Sequence, residues 1–366
     1  MDLREIESLA AFDALLAGGS RSLRRCHLQS VDLRERAAEL AVIRVAGAVF
    51  LGCRFVATGP GSEADVESRG GLVFPAVPDL PFDPYRPALY SPADLYAGLE
   101  NGYAGTPDAR AYAWSRGPRT VDRTLAAALH DHAVDDALAE LAADRHLVGV
   151  LGGHALRRDE PAYRSATLLG RDLSRHFTVA SGGGPGAMEA ANLGAWLGKV
   201  DDAGVDEALE HLAGAADFHD GIDAWAAAGF EVRTRWPDGG ESVGIPTWFY
   251  GHEPPNVFAT AIAKYFSNAL HEEVLLRICR SGLVFLPGAA GTVQEIFQAA
   301  CENYYAEAAQ VFPMVLVGRE HWTRVLPVAE LLVTLGRDRP FGASLHLVDG
   351  PEEVLPLLVD LGGDRG

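Results

Sequence analysis

The sequence has little of what a membrane, extracellular or metal-dependent protein would need. Its 366 residues include only four cysteines, which lie far apart and form no CxxC pair. Neither a disulfide framework nor a zinc site is therefore expected. No run of about 18 apolar residues occurs, so no membrane span is predicted. The first residues open acidic and lack the order of a signal peptide, and we expect a cytoplasmic protein without a bound metal.

Positive charge is also scarce. The formal net charge is −19, and only two of the 31 basic residues are lysines, Lys199 and Lys264. Binding to long nucleic acids depends on basic surface, so the charge disfavours a nucleic-acid partner and a DNA-binding relative. A small anion remains possible, because backbone N–H groups at the start of a helix can bind one locally.

The N-terminal part of the chain differs in pattern from the rest. Residues 1–90 mix short apolar runs with polar breaks and end in a proline-rich stretch, which predicts a smaller N-terminal accessory region. Within it, residues 40–51 fit one or two strands, and residues 26–33 resemble a pentapeptide-repeat coil that is too short to establish a repeat. Residues 91–145 are predicted as a helical connector, because residues 120–144 have helical spacing.

Residues 146–366 alternate short apolar runs with helical patterns. Strands are predicted at residues 146–152, 177–181, 241–246, 282–286 and 313–318, and helices at residues 162–176, 187–197, 259–280 and 293–306. Continuous apolar strands that alternate with helices indicate an α/β fold, with a doubly wound parallel sheet covered on both faces. Ligands bind such sheets at the carboxyl ends of the strands, where the glycine clusters of this sequence fall.

A first glycine-rich loop, Ser181-Gly-Gly-Gly-Pro-Gly-Ala-Met-Glu189, follows the second of these strands. Its glycines allow the backbone to approach a phosphate, and the next helix would direct N–H groups to the same point. A tight turn without a ligand is the plainer interpretation, although four glycines exceed what a turn needs. Gly182, Gly184 and Ala187 also fit a dinucleotide fingerprint, but that motif belongs after the first strand, so neither NAD nor FAD is expected.

A second loop, Pro287-Gly-Ala-Ala-Gly-Thr-Val-Gln-Glu295, follows the fourth predicted strand. Gly288 and Gly291 free the backbone, and the Thr292 hydroxyl can donate to an anion. The plainer interpretation is a capping box, in which Thr292 and Glu295 satisfy the start of the helix reciprocally. A second glycine loop in the same sheet favours an anion site, but the loop alone leaves both interpretations open.

The paired loops resemble those of the "lonely guy" family of nucleotide phosphoribohydrolases. Gly152-Gly-His154, Gly184–Ala190 and Glu253-Pro-Pro-Asn256 narrow the similarity to its larger bacterial branch, the pyrimidine/purine nucleotide 5′-monophosphate nucleosidases. The similarity covers about residues 147–358. It implies a Rossmann-like fold, a homodimer, and hydrolysis of a nucleoside monophosphate to free base and ribose 5-phosphate without a metal or another cofactor.

The resemblance, together with the chemistry of the reaction, indicates which residues form the site. Glu295 would be the acidic catalytic residue at the ribose, and His154 or His271 could give the departing base a proton. Family members have an arginine about fifteen residues before Pro287, where this chain has His271-Glu272-Glu273, so Arg277 on the same predicted helix becomes a further catalytic candidate. The predicted nucleotide contacts are Gly153, Ser181, Gly182, Gly183, Gly184, Gly186, Ala187, Met188, Glu189, Asn256, Gly288, Ala290, Gly291 and Thr292.

Two functions are left open by the sequence. One is a nucleoside 5′-monophosphate N-glycosidase, whose partner is a nucleoside monophosphate or a related nucleotide. The other is a binding or sensing module of the same fold, in which catalysis was lost together with the family arginine. A smaller departure is Ala289, which occupies a position where the family usually has glycine.

Overall fold

The computed structural model describes residues 4–74, 77–249 and 253–363. Among the helices in these ranges, none has both the length and the apolar content to cross a membrane.

The chain divides into two compact units. One comprises Met1–Ala88 and Pro118–Ala137, and the other comprises Leu89–Gly117 and Leu138–Gly366. Residues 91–145, which the sequence predicts as a connector, are therefore distributed over both units.

The first unit contains a four-stranded parallel sheet whose strands follow one another in chain order. They are β1 (Arg4–Ile6), β2 (Cys26–Gln29), β3 (Val49–Leu51) and β4 (Leu72–Phe74), accompanied by α1 (Leu9–Ala17), α2 (Ala37–Val42) and α3 (Glu63–Ser68). Ile6, Leu28, Phe50 and Val73 lie in register across the sheet, and all four are buried. Each turn of the chain, from a residue on one strand to its partner on the next, thus spans 22 or 23 residues. Each turn adds one apolar residue to the same row of the core.

The second unit contains a seven-stranded sheet in which every pairing is parallel. Its strands are β5 (Leu147–Leu151), β6 (Thr178–Ser181), β7 (Ser242–Gly244), β8 (Ala261–Ile262), β9 (Gly282–Phe285), β10 (Met314–Val317) and β11 (Leu345–Val348). Their spatial order is β11-β10-β9-β5-β6-β7-β8. The predicted α/β class is confirmed, and each of the five predicted strands corresponds to one of these seven.

Helices alternate with the strands of this unit. In chain order they are α4 (Pro92–Leu95), α5 (Pro107–Ser115), α6 (Val121–Ala143, which begins in the first unit), α7 (Pro161–Leu173), α8 (Ala187–Trp196), α9 (Asp202–Ala213), α10 (Ile222–Arg235), α11 (Asn268–Ile278), α12 (Ala290–Tyr305), α13 (Val328–Gly336), α14 (Pro340–Ser344) and α15 (Val354–Gly363). Continuous apolar strands with helices between them are what a sheet buried on both faces requires.

The predicted helix over residues 259–280 is wrong in its first half. Ala261 and Ile262 form the short strand β8, and only residues 268–278 are helical. Ile262 also exchanges two backbone hydrogen bonds with Tyr90, of 2.9 and 2.7 Å. A short run of alanine and isoleucine fits a buried strand as well as a buried helix, so periodicity alone could not separate them.

The helix that follows the first glycine loop is fixed by a close contact with α7. A Cβ at Gly194 would lie 2.0 Å from the carbonyl oxygen of Thr167, and one at Gly170 would lie 2.2 Å from that of Ala191. Only glycine fits at both contacts, so the backbones of α7 and α8 touch. The start of α8, and the loop that leads into it, are held in place by this contact.

Candidate functional site

Three chain segments meet at the carboxyl ends of the central strands. The glycine loops follow β6 and β9, which flank β5, and the usual spacing of parallel strands puts the loops about 10 Å apart. Gly153, which follows β5, lies between them. Its N–H donates to the Pro287 carbonyl (3.2 Å), and its own carbonyl accepts from the Ala187 N–H (3.0 Å). The structure therefore brings the two predicted loops and Gly153 together.

The backbones in this place are too close together for side chains. Gly186 has a φ of +72°, and a Cβ there would lie 2.5 Å from the Gly153 carbonyl oxygen. A Cβ at Gly288 would lie 2.1 Å from Oγ1 of Thr292, whose side chain is buried against the loop. Substitution of either glycine would push the segments apart.

Backbone donors of both loops are available to a ligand. The N–H groups of Gly184, Gly186 and Gly288 have no hydrogen-bond acceptor within the described part of the chain. The first N–H groups of α8 and α12 carry the positive ends of the two helix dipoles. Unsatisfied donors at two helix starts suit an anion such as a phosphate group.

The predicted contacts in these two loops differ in exposure. In the first loop, Ser181 to Ala187 are all buried and Met188 is half-buried, and its Sδ would lie 2.6 Å from a Cβ at Gly182. In the second loop, Ala290 and Gly291 are exposed. The Gly183 N–H donates to Ser181 Oγ (3.0 Å), so this amide is already occupied within the protein.

Asn256 supports the first loop from inside the protein. Its fully buried amide group donates to the Gly184 carbonyl (3.2 Å) and to Asn192 Oδ1 (2.9 Å), and its Oδ1 accepts from the Phe258 N–H (3.1 Å). Ser181 Oγ donates to the same Asn192 oxygen (2.7 Å). Because its polar atoms are engaged by the protein, Asn256 is placed to shape the loop rather than to touch a base.

Glu189 is occupied in the same way. Its carboxylate pairs with Arg158 through contacts of 2.5 and 3.1 Å, and both side chains are only 1% exposed. Arg158 also donates to the carbonyls of Ala215 (3.1 Å) and Trp225 (2.9 Å). This buried ion pair joins the start of α8 to the segment around residues 215–225, for which the sequence predicts no role.

The capping-box interpretation of the second loop is wrong. α12 begins at Ala290, its N-cap is Ala289, and no side chain caps it, so Thr292 and Glu295 lie inside the helix. Glu295 is half-buried, and loss of hydration raises the pKa of its carboxyl group to about 8, with a further contribution from the charge of Glu272. It lies one turn from Gly291 and Thr292 on the same helix face. A poorly hydrated carboxyl group thus sits one turn into the helix that the second loop opens.

The segment that replaces the family arginine also packs near Glu295. Glu272 accepts hydrogen bonds from Asn268 (2.8 Å) and from Gln294 (2.5 Å), which ties α11 to α12. His271 is buried, and burial lowers its pKa to about 4. It is therefore neutral near pH 7 and lacks the acidic imidazolium proton that the role of proton donor, considered from the sequence, would need.

His154 is exposed beside the first loop, and its Nδ1 lies 3.6 Å from Glu253 Oε1. Glu253 Oε2 in turn lies 3.6 Å from the position that a Cβ on Gly184 would take. Glu253 thus belongs to the site, whereas in the sequence it only helps to define a motif.

Arg277 is not brought to the loops. It lines a cavity of about 690 Å³ between the C-terminal ends of α11 and α12, together with Arg280, Glu302 and Tyr305. Glu302 lies about 18 Å along α12 from the second loop, at 1.5 Å per residue. Arg277 is therefore at the opposite edge of the sheet, and the geometry gives it no part in chemistry at the loops.

Further polar residues that belong to no recognisable sequence motif surround the loops. A cavity of about 50 Å³ beside the first loop is lined by His154, Pro185 and Gly186, and also by Arg157, Asp217 and His219. On the other side, His321 Nε2 lies 3.0 Å from the Gly288 carbonyl oxygen. The excursion at residues 203–240 contains no pattern typical of a site, and only the fold reveals that part of it lies here.

Comparisons with known proteins add likenesses of fold. The chain matches no protein-family model and no curated protein. Among 41 similar solved chains is the molybdenum cofactor binding protein of the phototrophic bacterium Rippkaea orientalis, with a TM-score of 0.37, 14% identity, and coverage of 59% of this chain and 97% of that one. Another is the structural-genomics target TM1055, with a TM-score of 0.38, 19% identity, and coverage of 58% and 98%. Likenesses this distant assign no function.

Proposed function

We propose that this chain is a nucleoside 5′-monophosphate N-glycosidase of the "lonely guy" type, which releases free base and ribose 5-phosphate. The observation that carries the proposal is the bridge made by Gly153 between two glycine loops, with Glu295 one helical turn beyond the second loop. The phosphate would bind between the loops, on the N–H groups of Gly184, Gly186 and Gly288.

The reaction breaks the bond between C1′ of the ribose and the base nitrogen. The bonding electrons leave with the base, and the sugar passes through an oxocarbenium-like state. Glu295 in its ionised form would stabilise that cation and take the proton of the attacking water. A carboxylate whose pKa lies near 8 is a stronger base than an ordinary glutamate, although less of it is ionised at neutral pH.

Within the described ranges, no other free cation replaces the absent arginine at the loops. Arg157 lines the cavity beside the first loop, but it pairs with Asp159 (3.1 Å) and Asp217 (3.2 Å). The phosphate would therefore be held mainly by backbone N–H groups and helix dipoles. This feature favours the second candidate, a binding or sensing module of the same fold that holds a nucleotide without cleaving it.

One assay separates the two candidates. The protein is incubated with a panel of nucleoside 5′-monophosphates, free base and ribose 5-phosphate are measured by chromatography, and binding is measured by calorimetry. Release of both products from at least one nucleotide supports the glycosidase. Binding without release supports the module, and the absence of both contradicts the anion site itself.

We also propose a homodimer, on the family resemblance alone. The helix predicted over residues 259–280 adds no support, since residues 259–267 are not helical. Light scattering that gives the mass of a monomer at micromolar concentration would contradict the proposal.

A further inference from the structure

We propose that His219, held by Asp217, donates the proton that the departing base requires, and that residues 215–225 form the leaving-group wall of the site. The inference rests on the proposed glycosidase function. It assigns a catalytic residue in a segment that carries no recognisable motif.

The geometry of the pair favours proton donation. His219 Nδ1 lies 2.7 Å from Asp217 Oδ1, and the His219 backbone N–H donates to the same oxygen (2.9 Å). This backbone hydrogen bond is the main reason why the pKa of Asp217 is lowered, so the carboxylate stays ionised. The contact with Asp217 occupies Nδ1 and fixes the ring, so Nε2 is the atom left to reach a ligand.

The position of His219 also fits. Its side chain is 66% exposed and lines the cavity of about 50 Å³ that Pro185 and Gly186 of the first loop line from another side. Such a volume holds a few water molecules, so it would take the edge of a base rather than a whole ring. A nucleotide whose phosphate group is bound at the loops would present a ring nitrogen or carbonyl oxygen of its base here.

The segment that carries His219 is held firmly. The buried Phe218 ring lies 3.9 Å from the His219 ring, and Arg158 hydrogen-bonds the backbone on both sides, at Ala215 and Trp225. Because Arg158 also pairs with Glu189 at the start of α8, the segment and the first loop share one buried anchor. A proton donor must be fixed relative to the reacting bond, and this anchor provides that fixation.

His154 is the competing donor in the same cavity. Its Nδ1 lies 3.6 Å from the Glu253 carboxylate, which is beyond hydrogen-bond distance. It therefore lacks the close carboxylate contact that orients the ring of His219. In the proposed step the Nε2 proton of His219 goes to the base as the C1′–N bond breaks, the oxygen of water bonds to C1′, and a proton of that water goes to Glu295.

Two substrates test the assignment. A nucleoside 5′-monophosphate needs a proton on its leaving base, whereas 4-nitrophenyl ribofuranoside 5-phosphate releases a stable nitrophenolate that needs none. His219→Asn should slow base release by about 100-fold or more and nitrophenolate release by less than about fivefold. The matched control is His211→Asn, because His211 is another exposed histidine of this excursion paired with a carboxylate, Glu231 at 2.8 Å. It should leave both rates unchanged.

Other outcomes overturn the assignment. Equal slowing of both substrates by His219→Asn would mean that the residue only supports the fold of the segment, and no slowing would make it an ordinary surface histidine. A loss confined to the nucleotide in His154→Asn, but not in His219→Asn, would assign the donor to His154. If the wild type cleaves the nitrophenyl compound but no nucleotide, the proposed nucleotide glycosidase fails together with this proposal. If the wild type cleaves neither, the glycosidase proposal fails and takes this one with it.

Discussion

The two glycine loops are built in different ways. The first, from Ser181 to Ala187, is buried and is held by side chains in the interior, namely the Asn192–Asn256 amides and the Arg158–Glu189 ion pair. The second is exposed at Ala289 to Gly291 and is held by backbone contacts and by His321. The comparison indicates that the first loop is the more firmly held of the two, whereas the second is the more open side, on which the chemistry proposed for Glu295 would take place.

The largest effect should come from the anchor of the first loop. Arg158→Met leaves the carboxylate of Glu189 buried and unpaired, which should lower the free energy of unfolding by about 3 kcal/mol or more. Arg164→Met is the matched control, because Arg164 pairs with Asp206 on the surface and such pairs contribute about 0–1 kcal/mol. Urea denaturation measures both. Equal losses in the two variants would mean that the first loop does not depend on its buried pair.

The next effect should appear in catalysis at the second loop. Glu295→Gln keeps the shape of the side chain but cannot become an anion, so turnover should fall by about 100-fold, which is roughly 2.7 kcal/mol of barrier. Nucleotide affinity should change little. Glu302→Gln, at the far end of the same helix, is the control and should retain the wild-type rate. Should Glu295→Gln turn over as fast as the wild type, the carboxylate has no chemical role.

The pH dependence of the free energy of unfolding should show the effect of Glu295 in the second loop's helix. The pKa of Glu295 rises from an ordinary value of 4.5 to about 8 on folding, so between these values the folded state binds more protons than the unfolded state. The wild type should therefore lose stability as the pH rises from about 4.5 to 8, by up to about 1.4 kcal/mol per pH unit from this group. Glu295→Gln should lack this loss and be the more stable protein at pH 9. If the stabilities of the two proteins change in parallel from pH 5 to 9, the raised pKa of Glu295 is contradicted.

The smallest effect concerns Ala289, where the family usually has glycine. Its φ is −119°, outside the left-handed region that favours glycine, so this position does not require glycine for a positive φ. Ala289→Gly should change nucleotide affinity by less than about threefold and stability by no more than about 1 kcal/mol. Calorimetric titration would check this, and a gain of tenfold or more would show that the methyl group obstructs the ligand.

The sequence predicts most of the candidate site because strand ends and glycine loops are local signals. The positions of Gly153 and the two loops could be predicted from apolar runs and the turn residues that follow them. Arg277 was misplaced because membership of a helix does not say which end of that helix faces the site. Asp217 and His219 could not be predicted, since nothing local marks them and only the packing of a distant segment brings them to the loop.

The register of the sheet in the first unit also determines which insertions and deletions this unit can accept. Because equivalent core residues recur every 22 or 23 positions, duplication or loss of one whole turn keeps every remaining side chain on its own side of the sheet. Insertion or deletion of a single residue within a strand would instead exchange the core face and the solvent face along that strand. Relatives of this unit should therefore differ in length by whole turns of 22 or 23 residues.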